Sequence, residues 1–461
     1  MPPSARKTLP LVTKFAYGVG IVSIVVPDVI LTIFFLYFLT DIVGLRPVLA
    51  GTVLLIGRLW DAANDLLVGW LSDRTQSAWG RRYPWMVIGI VPLALFLGLL
   101  WWVPPVENQR ILFGYYCLML ILYDSALTAV LLPYNALAAE LTQDYRDRTQ
   151  LISFQSFFRT GGIILVLLLA QIVFARVPDQ QQYWVLALLC GVGVMLAIGI
   201  CIGGTYRQYQ VVSQPLTQST TSAIKFWPQF KRVLSDLIFW RLLGIYLCSW
   251  LAIQVMASIV PYFVVTYMGQ TAETVTTVIL IAQLAALLMV VVWGTAGLRL
   301  DKHHIYLIAI PLWILALVFI MGLQPDQTVW LYGLMILAGS GAAAAYIVPW
   351  AMLPDVIDYQ ELRSGQRSEG MYYGVMVWMQ KLGVAVALFG VGLCLDWAGF
   401  VSAVDSTQLS QPPSAILTIR GIMGLVPTVL LIGSLLLAYR YPITRQAHAE
   451  TRLLLSQQRQ S

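Results

Sequence analysis
The strongest constraint on this chain is a succession of apolar runs, each about 20 residues or longer, spread along nearly its whole length. They fall near 15–39, 48–72, 84–103, 111–138, 151–175 and 183–204, and then near 239–267, 273–298, 304–323, 328–353, 370–395 and 415–439. A helix rises about 1.5 Å per residue, so runs of this length cross roughly 30 Å of hydrocarbon. Lipid offers no hydrogen bonds, and a backbone that crosses it must satisfy its own polar groups, as a helix does. The expectation is an all-α polytopic membrane protein with twelve transmembrane helices. Composition agrees: 59% of the residues are hydrophobic and 11% charged, whereas a soluble domain carries about 25% charge. The N-terminal MPPSARK runs straight into a full-length apolar span, which does not match a cleavable signal.

Charge position sets the orientation. With the N-terminus inside, inside segments hold 20 of the 28 Lys and Arg residues, while the outside loops hold only Arg46, Arg110 and Arg176. Positive residues concentrate on the cytoplasmic side of membrane proteins. Both termini are therefore expected in the cytoplasm, and the net charge of +6 reflects this asymmetry, not nucleic-acid binding. The five cysteines all lie in apolar runs without a CxxC pair, and the three histidines lie in or beside loops and the tail. Neither set suggests a catalytic metal or haem, and no nucleophile–histidine pair suggests an enzyme.

A weak internal repeat divides the chain. LPYNALAAEL around Pro133 resembles VPWAMLPDVI around Pro349, and Gly69-x-x-x-Asp73-Arg74 has an echo at Gly294-x-x-x-Leu298-Arg299. The implied architecture is two pseudo-symmetric six-helix halves, 1–204 and 237–440. Between them, 205–236 reads as a cytoplasmic linker containing QPLTQSTTS and the basic, aromatic KFWPQFKR, the latter suited to a lipid surface. Residues 441–461 read as a cytoplasmic tail, and a monomer is expected.

Within span 2, Asp61 and Asp65 are four residues apart, so both carboxylates lie on one helical face. A charge near the bilayer centre costs roughly 2.5–3.5 kcal/mol on insertion scales, so two acids there point to a positive species that comes and goes. The alternative is a structural ion pair, with Arg58 as the partner of Asp61.

The loop GWLSDRTQSAWGRR, with Gly69, Asp73, Arg74, Arg81 and Arg82, resembles the signature loop of the major facilitator superfamily. In that reading Gly69 permits close helix approach, and the Asp and Arg residues form a cytoplasmic latch. A narrower resemblance runs along nearly the whole chain. KFAYGVG, FLTDIVGL, RLWDAANDLLVGWLSDRT, WGRRYPW and VPWAMLPDVIDYQELRSGQRSEGMYYGV resemble the glycoside–pentoside–hexuronide:cation symporters, the melibiose permease-like proteins. The resemblance implies cation-coupled entry of a small solute by alternating access, with Na+, Li+ or H+ as coupling ion and no resident cofactor. A branch of the same family transports lysophospholipid with sodium, which keeps an amphiphile open as the solute. A non-transporting membrane sensor is the more distant alternative.

By resemblance, Arg58, Asp61, Asn64 and Asp65 match the cation-binding motif, and Thr128 falls at a cation-site threonine. Sodium would sit at Asp61 and Asp65. Lys381 matches the family's span-11 lysine and is expected to couple by approaching these acids when no cation is bound. The sugar-reading positions hold Val25, Leu131 and Ser156, while Asp28, Asp124 and Arg159 lie on the same spans, displaced by 3, 7 and 3 residues. These three are candidate substrate residues, with Trp350 and Trp378 as stacking surfaces. Asp124 is open to a cation role too, and Arg159 to pairing with Asp124. Asp355 and Asp358 match the family's PD-x-x-D segment and join the expected cytoplasmic latch, with a solvated loop as the alternative.

Overall fold
A computed structural model of the chain describes residues 9–142, 145–212, 230–231, 233–296, 300–364, 369–401, 411–443 and 445–458. Twelve long helices account for most of them. They are α1 (Leu11–Ile42), α2 (Pro47–Arg74), α3 (Tyr83–Leu100), α4 (Gln109–Leu141), α5 (Tyr145–Arg176) and α6 (Asp179–Val212). The second set is α7 (Leu237–Tyr267), α8 (Ala272–Ala296), α9 (Lys302–Gly322), α10 (Thr328–Ser364), α11 (Glu369–Trp397) and α12 (Pro413–Tyr439). A shorter helix, α13 (Arg445–Gln458), follows in the tail. Eleven of the twelve are long and apolar enough to cross a membrane. The remaining one, α2, matches them in length at 28 residues but carries Arg58, Asp61, Asn64 and Asp65 in its interior. The protein is an integral, multi-pass membrane protein.

Two compact units divide the described helices, α1–α6 in the first and α7–α13 in the second. Residues 205–212, assigned from the sequence to the linker, continue α6 to Val212, while 213–229 lie outside the described residues. In the first unit α2 and α3 both pack on α4, and α1 packs on α5 and α6. In the second, α7 packs on α12, and α10 packs on both α8 and α9. The second core centres on Phe239, Leu242, Tyr246, Trp313, Leu317 and Met352.

The repeat extends to backbone detail. FLTDIVGL at the end of α1 and FVVTYMGQ at the end of α7 both close with a turn of π-helix, Phe38–Ile42 and Tyr262–Tyr267. The Val43 amide donates to Phe38 O and the Met268 amide to Phe263 O, each at 3.0 Å. Both turns end on glycine in the left-handed region, Gly44 at φ 75° and Gly269 at φ 65°. That conformation is nearly free for glycine and costly for other residues. Equivalent positions in the two halves thus use the same device to stop the first helix.

Small residues set how closely helices approach. At Gly339 of α10, an added Cβ would overlap the carbonyl oxygen of Ala282 in α8. A backbone oxygen cannot rotate away, so the two helices must separate. Gly339→Ala is expected to destabilise the protein by about 1–3 kcal/mol, the usual cost of overpacking, read as a lower thermal midpoint in detergent. An unchanged midpoint would show that α8 and α10 are less closely packed.

Candidate functional site
The polar cluster of the first unit is built on two helices. Gly57 of α2 faces Leu120 of α4, and a Cβ there would overlap the leucine and lie 3.3 Å from Asp124 Oδ2. The missing side chain lets the next two turns of α2 press their polar face onto α4. Trp60 Nε1 donates to Ser125 Oγ at 2.9 Å. Asn64 Nδ2 donates to the carbonyl oxygen of Asp124 at 3.5 Å, and Thr128 Oγ1 donates to Asp65 Oδ1 at 3.5 Å. Helical spacing of three and four residues brings all these groups to one seam.

Asp61, Asn64, Asp124 and Thr128 are buried, Asp65 is half-buried and Asp28 is exposed. Arg58 forms an ion pair with Asp28 of α1, Nη2 to Oδ1 at 3.7 Å. Asp124 and Asp61 lie within its electrostatic reach as well. The sequence offered Asp61 as a partner for Arg58 only as the alternative to cation binding, and it gave no sign of the bridge to α1. Among these named residues of α1, α2 and α4 there are four carboxyls, Asp28, Asp61, Asp65 and Asp124, to one guanidinium. A cluster with that formal excess of negative charge favours a bound cation or proton. Neutral oxygens from Asn64, Thr128 and the Asp124 backbone beside the acids make a donor set suited to a small hard ion.

Arg159 sits on α5 with an exposed side chain, and it makes no ion pair among the described residues. The Asp124–Arg159 pairing that the sequence left open is not formed among the described residues. On the second unit, Trp350 stacks on Tyr373 at 6.0 Å and meets Tyr246 edge-on at 5.4 Å. The Tyr246 hydroxyl donates to Gln380 Oε1 at 2.6 Å, and Gln380 precedes the half-buried Lys381 on α11. Trp378 is 45% exposed.

The loop after α2 turns on Gly80, whose φ of 82° and contact with Tyr209 exclude a side chain. That turn delivers Arg81 and Arg82 to Glu140 at the end of α4. Arg81 Nη2 lies 2.7 Å and Arg82 Nε 3.0 Å from Glu140 Oε1, and Arg82 Nη1 donates to Ser72 Oγ at 2.6 Å. Glu140 was not singled out from the sequence, although it ends the LAAEL segment of the repeat. Arg74 is exposed at the end of α2, and the side chain of Asp73 lies outside the described residues. Gly69 is not the close-approach glycine: a Cβ there would meet Leu132 Cδ1 at 3.8 Å, an ordinary contact. Gly57, one turn before the acid pair, has that role.

The second unit repeats the arrangement with other residues. Lys302 Nζ, at the start of α9, lies 2.7 Å from Asp355 Oδ2 and donates to Ala351 O at 2.7 Å. His448 Nε2 of α13 lies 3.5 Å from Asp355 Oδ1 and 3.3 Å from Asp358 Oδ2. In both units a basic residue at the start of the third helix meets an acid near the end of the fourth. Lys302 and His448 were missed because they lie 53 and 93 residues from Asp355 in the chain.

A further pair ties the start of α1 to the start of α5. Lys14 Nζ lies 2.7 Å from Asp147 Oδ1, both side chains nearly buried, and the Leu9 amide donates to Asp147 Oδ2 at 3.0 Å. Burial works to raise the Asp147 carboxyl, but the bonds from Lys14 and Leu9 and the lysine charge hold it below its ordinary value. A carboxyl depressed in this way adds stability that is full above its unfolded value near about pH 4 and is lost as pH falls through the folded value. Thermal unfolding should show Asp147→Asn less stable than the native chain from pH 5 to 8. That gap should narrow below about pH 4, and a gap independent of pH would remove the charge from the account.

Comparison with known proteins places these features in context. The family described as "MFS/sugar transport protein" matches residues 16–445. An uncharacterized symporter of Synechocystis is 36% identical over 99% of this chain and 98% of its own. The sodium-dependent lysophosphatidylcholine symporter 1-B of Danio rerio is 24% identical over 99% of this chain and 91% of its own. The putative glycoside/cation symporter YagG of Escherichia coli is 26% identical, covering 88% and 86%. Among solved structures, the nucleoside transporter NupG superposes with a TM-score of 0.65 at 13% identity, covering 94% of this chain and 100% of that one.

Proposed function
This chain belongs to the glycoside–pentoside–hexuronide:cation symporter family of the major facilitator superfamily, and from that premise we propose that it brings a sugar or glycoside into the cell with Na+ or H+ by alternating access. The observation that carries this reading is the seam between α2 and α4, where Asn64 donates to Asp124 and Asp65 accepts from Thr128 beside the buried Asp61. Asp61 and Asp65 hold the cation, with Asn64 and Thr128 as neutral ligands and Arg58 setting the local field. Lys381, matched to the family's span-11 lysine, is assigned the coupling role. Solute-directed residues are Asp28, Asp124 and Arg159 on the first unit and Trp350 and Trp378 on the second. An exposed charge at membrane depth must face water or solute rather than lipid, which suits Asp28 and Arg159. Both termini are cytoplasmic in this reading, as the Lys and Arg distribution favours.

Sodium-coupled transport of a lysophospholipid is the second reading. It is favoured by the Danio rerio relative, aligned over nearly the whole chain, and by Val25, Leu131 and Ser156 at the sugar-reading positions. Counterflow in sealed vesicles separates the two, using labelled sugars, glycosides and lysolipids with sodium, lithium or a pH gradient. Cation-stimulated exchange of a sugar or glycoside is the expected result. Exchange of lysolipid alone selects the second reading, and tight binding without any exchange would refute both.

A further inference from the structure
We propose that Asp301, His303 and His304 form a binding site for a divalent transition-metal ion of the zinc class at the start of α9. From the sequence the histidines looked too few and too peripheral for a metal centre. The fold gathers two of them with a carboxylate. One ligand atom from each of the three residues lies within 4.8 Å of the other two. His304 Nδ1 is 3.8 Å from Asp301 Oδ2, and the two imidazole rings are 4.1 Å apart, centroid to centroid.

A second observation points the same way. Asp301 occupies the residue before the first turn of α9, with φ −68° and ψ 146°, where an aspartate normally accepts from the backbone amides of that turn. Its side chain makes no such bond, and one carboxylate oxygen lies instead near His304. Lys302 does not oppose a cation there, because its ammonium is bound to Asp355 and Ala351 O. The Asp301 and His304 side chains are 23% and 57% exposed, so an ion can enter from solvent without unfolding.

Donor chemistry selects the ion. Two imidazole nitrogens and one carboxylate suit Zn2+, Co2+, Ni2+ or Cu2+, whereas Na+, Mg2+ and Ca2+ prefer all-oxygen shells. Donors on one tetrahedral zinc stand about 3.3 Å apart, given bonds of about 2.0–2.1 Å. The spacing here closes to that by small rotations of partly exposed side chains. Water completes the shell.

The test uses the full-length protein in detergent with any affinity tag removed, titrated with Co2+ by visible absorption and with Zn2+ by calorimetry. One saturable equivalent is expected, with cobalt bands of nitrogen–oxygen coordination. Loss of an outer-shell partner alone costs about 10–100-fold in metal affinity, so His303→Gln, His304→Gln and Asp301→Asn should each weaken binding at least about tenfold. His448→Gln, which alters the remaining histidine, should leave binding unchanged. Thermal unfolding without metal should match the native chain for the His303, His304 and Asp301 variants, so that lost binding is not lost folding. Absence of saturable binding, binding indifferent to His303 and His304, or binding abolished by His448→Gln would each overturn the proposal.

Discussion
An Asp61→Asn, Asp65→Asn double variant is expected to lose cation-dependent uptake while remaining folded in the membrane. Both acids lie on one face of α2; Asp61 is buried, and Asp65 accepts from Thr128. An amide keeps the shape and an oxygen ligand but removes the charge that compensates a cation. If each change weakens the ion by about tenfold, the pair weakens it about 100-fold, near 2.8 kcal/mol. Stability should move the other way or not at all, because burying a carboxylate in a membrane protein is costly and its removal relieves that cost. Uptake with and without the ion gradient, read beside thermal unfolding of the purified protein, checks both halves of the expectation. Full sodium- and proton-dependent uptake in the double variant would remove the acid pair from the mechanism.

Glu140→Ala is expected to have the largest effect at the end of α4. One carboxylate receives Arg81 and Arg82 together, and the side chains of Arg82 and Glu140 are only 10% and 11% exposed. Breaking a buried pair by removing one partner leaves an uncompensated charge, typically at about 3–5 kcal/mol. The bond from Arg82 to Ser72 remains, and Arg81 is 46% exposed, so the lower end, about 3 kcal/mol, is expected. Thermal unfolding of Glu140→Ala, Arg82→Ala and the double variant forms a cycle that isolates the pair. If the single losses simply add, the two side chains are not coupled and their contact does not act as an ion pair.

Some of this site was legible in the amino-acid order. The acids on one face of α2 and the two-half repeat follow from spacing and pattern, while Thr128 entered through the family resemblance. Other parts were not. Glu140 looked like an ordinary acid at a helix end, and nothing local indicates that a turn at Gly80 brings two arginines to it. Gly57 and Gly69 look equally suited to close packing, and only the position of Leu120 against α2 distinguishes them. Asp28 was read as a substrate group, yet its carboxylate lies beside Arg58, a relation that depends on how α1 leans on α2.

The amino-acid order by itself determined the membrane class, the twelve helices and the face on which α2 carries its charges. Lipid leaves the backbone no partners but its own, and helical periodicity assigns each side chain to a face. Only the tertiary structure decided which helix meets that face: Asp28 for Arg58, Thr128 for Asp65, Glu140 for Arg81 and Arg82, Lys302 for Asp355. Periodicity specifies direction around one helix axis, whereas partners depend on the approach and height of a second helix. Those are set by residues such as Gly57 and Gly339, whose effect exists only once two helices touch.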